Sequence, residues 1–379
     1  MFIDWLSISQ EHDHDLPQVC DVFSLKIDAH TGEELARTQP RFSHEGSHST
    51  FLTIHVSGRK VSVEGNPSRY GRLDNLFGFQ KLEQCISVYN AVLVEYGLPP
   101  FTKCTVRKLR DGESGAKFSD WITDGARIHR IDLTSNFALG AGNIDHYLRG
   151  ISSQRIGRNI GYLYPNGKTV AWTPSGGGKG GRLQYRKVYD KANELVYSQS
   201  SLVPRIKRLY GDDSPQYKYV SRLHSFCVEN GIVRFEQELK SEFLQRENLC
   251  HWGLFNESSF IELHREFLDV DKKLKVSAMD FLTIAESLKI HDVVKSTQAA
   301  NATASFYLQW LHGAPVAVKE RQYKEYAARL NKIGINIRNA PDLTKFSPVI
   351  IKEVREITKT ADIIIPDWYQ MPNHLRAAA

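Results

Sequence analysis

The sequence predicts an α+β protein, an antiparallel sheet with flanking helices followed by a mostly helical C-terminal region. Three observations predict it. Up to about residue 240, short runs rich in β-branched and aromatic residues alternate with turn residues. One segment, 82–96, instead repeats its apolar residues at helical spacing. Beyond about residue 255 only helical runs remain, which suggests a separate helical domain.

In chain order, strands are expected over Phe2–Ser9, Val22–Ile27, Thr50–Val56, Lys60–Glu64 and Lys103–Lys108. The series continues with Ile128–Phe137, Gly161–Tyr164, Thr169–Trp172, Leu183–Tyr189 and Ile232–Leu239. Ser57-Gly58 and Pro165-Asn166-Gly167 read as hairpin turns between strand pairs. The first helix places Leu82, Cys85, Ile86, Tyr89, Leu93 and Tyr96 on one face and ends at Gly97 and Pro99-Pro100. A second opens at Ser214-Pro215, an N-cap followed by proline in the first helical position, and stops near Asn230-Gly231. The C-terminal helices are expected over Ser259–Leu268, Ser277–Leu288, Asn301–His312, Val318–Ile333 and Ser347–Ile357. Thr303–His312, the turn Gly313-Ala314-Pro315 and Lys319–Lys332 have the outline of a helix-turn-helix, an outline also common in plain bundles.

Composition narrows the function. No apolar run approaches the roughly eighteen residues of a membrane-spanning helix, and the N-terminus reads as a strand rather than a signal peptide. Five scattered cysteines without a Cys-x-x-Cys fit a reducing cytoplasm and argue against a zinc site or a disulfide framework. The net charge is only +6, but between Arg149 and Tyr210 twelve Lys/Arg face two acids, a local excess of +10. Such a concentration points to a polyanionic partner. Tyr162, Tyr164, Trp172, Tyr185 and Tyr189 interleave these charges, as stacking residues do in single-strand binders. Arg155, Arg158, Lys168, Lys179, Arg182, Tyr185, Arg186 and Lys187 are therefore the expected DNA contacts. The alternative is a solvated basic face.

Three short segments carry residues suited to chemistry. In 127–134, alternation sets Arg130, Asp132 and Thr134 on one face while Ile131 and Leu133 face the core. A mid-strand carboxylate beside an arginine either coordinates something or forms a structural ion pair. In 231–240, Arg234, Glu236, Glu238 and Lys240 share a face, and two carboxylates spaced by two on a rigid strand suit a hard cation. Cross-strand ion pairing is the competing explanation. In 181–194 a strand runs into a helix, so Tyr189 and Lys191 sit near the strand end. A tyrosine with a free pKa of about 10 needs a cation or base beside it to attack a phosphodiester near neutrality. Two apparent phosphate motifs fail. Asn166-Gly-Lys-Thr169 lacks the upstream glycine of a P-loop, and the Gly-rich stretch 175–182 opens no clear helix. His12 and His14 read as part of a solvated acidic loop.

Together, Arg-Ile-Asp-Leu (130–133), Tyr-Asp-Lys-x-x-Glu (189–194) and Val-Arg-Phe-Glu-x-Glu-Leu (233–239) resemble, in this order, the filamentous-phage gene II/X replication initiators. They are similar also to the blocks of rolling-circle plasmid initiators. Asn75-Leu-Phe-Gly78 and the tail Pro366-Asp-Trp-Tyr369 extend the resemblance along the chain. It implies a nicking endonuclease domain over 1–252 and a helical, DNA-binding domain over 253–379. It implies site-specific nicking and rejoining at a phage origin, the 5′ end held on tyrosine. The released 3′-OH would serve host polymerase, with host helicase, in the host cytoplasm, and a homo-oligomer on DNA is among the expectations. Residue by residue, Tyr189 would be the nucleophile, and Asp132, Glu236 and Glu238 would hold Mg²⁺ or Mn²⁺. Lys191 and Arg234 would balance phosphate charge. Many rolling-circle nickases use a His-hydrophobic-His pair, which is missing here, so a carboxylate-rich site is implied. Two other classes stay open, a non-catalytic origin-binding repressor and a recombinase; the latter fits a helical rather than a strand-rich catalytic half.

Overall fold

Period-two spacing along the strands gathers apolar side chains on one face of a sheet and charged side chains on the other. The computed structural model describes residues 1–20, 22–38, 40–45, 51–109, 121–152, 154–174, 180–270, 281–311, 318–337 and 363–372. The chain opens with β1 (Phe2–Glu11), a ribbon of β2 (Ser24–Ile27) and β3 (Glu34–Thr38), then β4 (Phe42–Glu45), β5 (Phe51–Ser57) and β6 (Lys60–Gly65). After α1 (Leu82–Glu95) come a second ribbon, β7 (Arg107–Leu109) and β8 (Trp121–Thr123), and the long β9 (Arg127–Ala138). Next are α2 (Ile144–Ser152), β10 (Arg155–Ile156), β11 (Asn159–Leu163), β12 (Thr169–Thr173) and β13 (Gln184–Asp190). Three helices, α3 (Lys191–Val196), α4 (Leu202–Tyr210) and α5 (Pro215–Asn230), precede β14 (Ile232–Lys240). The remainder is α6 (Ser241–Arg246), α7 (Ser258–Leu268), α8 (Phe281–Ile290), α9 (Thr297–Leu311) and α10 (Glu320–Lys332). This is the α+β architecture that the sequence predicts.

Ten strands form one antiparallel sheet in the order β10-β11-β12-β13-β14-β9-β1-β6-β5-β4. Its centre joins segments remote in sequence: β14 pairs with both β13 and β9, and β9 pairs with β1. Leu6, Ile8, Val61, Val63, Ile131, Leu133 and Leu239 point to one face and pack against Leu82, Ile86, Tyr89 and Leu93 of α1. On the same face Val170, Trp172, Val188, Val233 and Phe235 pack against α2 and against Phe267 of α7. The expected boundary after 252 therefore falls ahead of a helix that belongs to the sheet. The separate helical core gathers Ile284, Leu288, Ala304, Phe306, Tyr326 and Leu330.

The opposite face is roofed at one end only. Leu73 and Leu76 join α3, α4 and α5 over Ile232 in a further apolar cluster, which also takes in Tyr369. The α5–β14 junction sets this arrangement. Ser214 Oγ caps the helix by accepting from the Tyr217 amide at 3.1 Å, with Pro215 behind it. Gly231 ends the helix with φ of 59°, where an added Cβ would lie 2.0 Å from the Gly140 carbonyl oxygen. Only glycine permits both the left-handed turn and that approach, and the chain passes directly into β14.

Several elements differ from expectation. The expected strand 103–108 shrinks to β7, because Cys104 N instead bonds Trp252 O at 2.6 Å and Asp124 Oδ1 takes the amides of Thr105 and Val106. β3, β4, β8, β10, α2 and α4 were not among the expected elements. Pro204 obscures α4, yet it lies in the first turn, whose amides have no helical acceptor to lose. The turn of the expected helix-turn-helix, the helix over 347–357 and the Gly-rich loop at 175–179 with Lys179 lie outside the described residues.

Candidate active site on the polar sheet face

Strand register assembles the three chemical segments into one patch. Tyr185 of β13, Glu238 of β14 and Asp132 of β9 lie in one cross-strand row. Lys187, Glu236 and Thr134 form the next row, and Tyr189, Arg234 and Asn136 the third. Tyr164 Oη reaches Tyr185 Oη at 3.0 Å, and Tyr162 packs edge-on to Tyr164 with centroids 5.3 Å apart. A tyrosine band thus flanks the acids.

The half-buried Tyr189 donates its hydroxyl hydrogen to Glu236 Oε2 at 3.0 Å. Lys187 Nζ holds the other Glu236 oxygen at 2.6 Å and lies 5.6 Å from the Tyr189 ring centre. Burial works to raise the Glu236 carboxyl, but Lys187, Arg234 and the Tyr189 hydroxyl outweigh it and hold the group ionised. Burial and the Glu236 charge drive the Tyr189 phenol well above its ordinary range, so the hydroxyl is neutral and acts as a hydrogen-bond donor. Asp132 is gripped by Arg130 through two bonds of 2.8 and 2.7 Å. Even so, burial together with Glu236 and Glu238 pushes its carboxyl up to about 7 against the Arg130 contribution. Glu238 lies 3.4 Å from Arg130 and 3.6 Å from Lys240.

The two cations expected to balance phosphate are internal. Arg234 has no exposed surface; it donates to Asn136 Oδ1 at 2.9 Å and to the carbonyls of Asn75 and Leu76 at 2.6 and 3.1 Å. Lys191 is 1% exposed and bonds Glu194 Oε2 at 2.7 Å and Asn75 Oδ1 at 3.3 Å. Arg234 supplies positive potential beneath Tyr189 from inside the protein, and the cation paired with Glu236 on the polar face is Lys187. Asp4, Asn75 and Asn136 complete this buried network, with Asn75 Nδ2 donating to Asp4 Oδ1 at 2.8 Å. Sequence reasoning missed Asp4 and Asn136, although each is a polar residue inside an apolar strand, which is the available signal.

Folding also revises the basic window. Lys168 pairs with Asp145 and Asp190, Arg182 with Glu242, Lys187 with Glu236, Lys191 with Glu194 and Lys207 with Asp212. Arg186 and Trp172 point to the apolar face. Trp172 is 1% exposed against Phe267, while Arg186 is largely buried and senses Glu266. Both lie on the sheet face opposite Lys187. Arg158 is exposed in the β10–β11 turn, and Arg155 is half-buried. His129 bonds Ser9 Oγ at 2.7 Å and does not join the acids.

Residues 2–267 match the N-terminal family of the replication-associated gene II protein, and residues 288–375 match the C-terminal family of the same protein. The chain belongs to the gene II replication protein family. The replication-associated gene II protein of Escherichia phage If1 is 44% identical over 328 residues, spanning 86% of this chain and 99% of that protein. No solved structure matches. The N-terminal family region thus covers the sheet and α7, and the C-terminal region begins in the last residues of α8. All five cysteines are free, and no helix among the described residues is long and apolar enough to cross a membrane.

Among the described residues, no three His, Cys, Asp or Glu side chains are gathered in metal-binding geometry. The donor chemistry nevertheless fits a hard divalent cation. The patch offers the carboxylate oxygens of Asp132, Glu236 and Glu238, and Mg²⁺ commonly takes one or two carboxylates and completes its shell with water and phosphate. Thr134 Oγ1, fully buried in the Glu236 row, has no hydrogen-bond partner.

Proposed function

We propose that this chain initiates phage DNA replication by nicking one strand at the origin and later rejoining it, with Tyr189 as nucleophile. The observation that carries this reading is the Tyr189 hydroxyl bonded to Glu236 at 3.0 Å, on a face shared with Lys187, Asp132 and Glu238. Tyr189 Oη attacks the scissile phosphorus as its proton passes to Glu236 Oε2. The new bond is Oη–P and the broken bond is P–O3′; the departing O3′ takes a proton from solvent, leaving a free 3′-OH. Protonation of Glu236 releases Lys187 from its ion pair, and the ammonium turns to the phosphate oxygens. Attack of a 3′-OH on the phosphotyrosine reverses these steps and seals a circle. Asp132, Glu236 and Glu238 would hold the divalent cation, Mg²⁺ or Mn²⁺, which supplies Lewis-acid charge to the phosphate when bound. Tyr162, Tyr164 and Tyr185 offer ring faces on which bases of the displaced strand stack. The 3′-OH then serves a polymerase of the host cell, behind a host helicase.

The test incubates the chain with supercoiled origin DNA and Mg²⁺, followed by peptide mass mapping of the adduct formed on a single-stranded origin oligonucleotide. Wild type yields nicked circles and a nucleotide on Tyr189. Tyr189→Phe folds, binds origin DNA and gives neither product. A nucleotide on another tyrosine overturns the assignment, and DNA binding without nicking overturns the enzyme in favour of an origin-binding protein.

A further inference from the structure

The loop after β6 is tied at both ends of a buried network. At one end Asn75 and Leu76 give their carbonyls to Arg234, Leu76 O also accepts from Asn136 Nδ2, and Asn75 Oδ1 accepts from Lys191. These contacts set Arg234 beneath Tyr189. At the other end, Tyr369, 7% exposed, uses a single hydroxyl to bond three groups of the same loop. It donates to Asp74 Oδ1 at 2.8 Å and accepts from Arg72 Nη2 at 2.6 Å and from the Phe77 amide at 2.9 Å. The Gln370 carbonyl accepts from Arg72 Nε and Nη2 at 3.1 and 2.6 Å, and Arg72 Nη1 reaches Phe77 O at 3.0 Å. Trp368 wedges between Tyr219 and Phe226 of α5 with Arg222 over its ring at 4.7 Å. Tyr219 returns to Asp74 Oδ2 at 2.8 Å.

We propose that residues 366–370, from the far end of the chain, are a clamp that positions the nicking site, with Tyr369 as its central positioning residue. Arg72 and Asp74 are 8% and 2% exposed and pair within the loop at 3.7 Å, and at such depth each further hydrogen bond counts, so the bonds from Tyr369 and Gln370 tighten the loop. Between Tyr369 and Tyr189 the path is short: hydroxyl, residues 72–77, Arg234. Carbonyls displaced from Arg234 leave its guanidinium free to swing toward Asp4, 3.8 Å away, and the potential beneath the phenol shifts with it. The inference rests on the nicking reading for its consequence and on the contacts alone for its geometry.

Tyr369→Phe in the full chain separates clamping from packing. It keeps the ring against Phe77 and Arg72 and deletes only the bridging oxygen. The single-turnover rate of adduct formation is expected to fall on the order of tenfold to a hundredfold, with origin-DNA Kd unchanged. Hydrogen exchange at the amides of Leu76 and Phe77 is expected to quicken. Asp74→Asn, which weakens the same bridge from the loop side, should give the same pattern. A wild-type rate in Tyr369→Phe overturns the proposal, and so does a slowed rate without faster exchange at 76–77. Should the wild-type chain form no adduct, the nicking reading falls by itself. The exchange pattern then decides the clamp alone: unchanged protection in Tyr369→Phe refutes it, and faster exchange retains it.

Discussion

Replacing Asp132 by Asn is expected to stabilise the fold at neutral pH while removing nicking. The Asp132 carboxyl, ordinarily near 3.8, is pushed up to about 7 by burial and by Glu236 and Glu238. Between those two pH values the unfolded chain releases a proton that the folded chain retains, so stability falls as pH rises and the loss is complete above pH 7. Three pKa units at about 1.4 kcal/mol each set a ceiling of about 4 kcal/mol. Asn is uncharged throughout and keeps one oxygen for Arg130, which retains Glu238 at 3.4 Å. Urea unfolding without divalent cations should therefore give a difference, variant minus wild type, that is near its minimum at pH 4. By pH 8 it should have grown by roughly 1–4 kcal/mol, allowing for relaxation of the site. Mg²⁺ should narrow the gap by stabilising wild type more than the variant. A difference that is flat with pH, or that shrinks as pH rises, would refute the electrostatic account of this cluster.

Other expectations follow from the same geometry. Tyr189→Phe should lose the bond to Glu236 and about 1–3 kcal/mol of stability, read by thermal melting alongside loss of the covalent adduct. Tyr185→Phe should still nick, at a reduced rate, because it deletes the hydroxyl bonded to Tyr164 and leaves Tyr189 and Glu236 in place. Neutralising Arg158 or Arg182 should flatten the salt dependence of DNA binding by about one unit of slope each. Arg186→Gln should leave the slope as it is, and an equal effect of all three would discredit the division of β13 into two faces. Gly231→Ala should cost at least 1–3 kcal/mol in urea unfolding, since it strains a positive φ and drives a methyl onto the Gly140 carbonyl.

The central strands were legible because apolar residues recur with period two, Ile131 and Leu133 in one and Val233, Phe235 and Leu239 in the other, and a register slip would put Leu133 or Phe235 into the polar patch. Within a strand, the pairs Arg130–Asp132 and Glu236–Glu238 could be placed on a common face by counting. Between strands counting fails. Nothing local tells Lys187 to meet Glu236, or brings Asp145 and Glu242 onto Lys168 and Arg182, so a charge summed along 149–210 overstates the free positive surface. Burial is equally hidden, and Arg234 and Lys191, read as phosphate contacts, proved to be interior cations with protein partners. Which core α7 serves is hidden for a related reason. α7 is amphipathic, as surface helices generally are, and its contacts show which core it serves: Phe260 joins the α1 core, and Phe267 packs on Trp172 and Phe235.

The strand order has a consequence for a chain leaving the ribosome. β14 lies between β13 and β9, so its carboxylates meet groups made much earlier: Tyr189 precedes Glu236 by 47 residues, and Asn136 precedes Arg234 by 98. Until β14 emerges, β9 and β13 have no shared neighbour and the tyrosine hydroxyl has no carboxylate beside it. Such long-range pairing is slow to form. On the proposed function, a nascent fragment that already carries Tyr189 and the basic window would still lack the base proposed to accept the tyrosine proton.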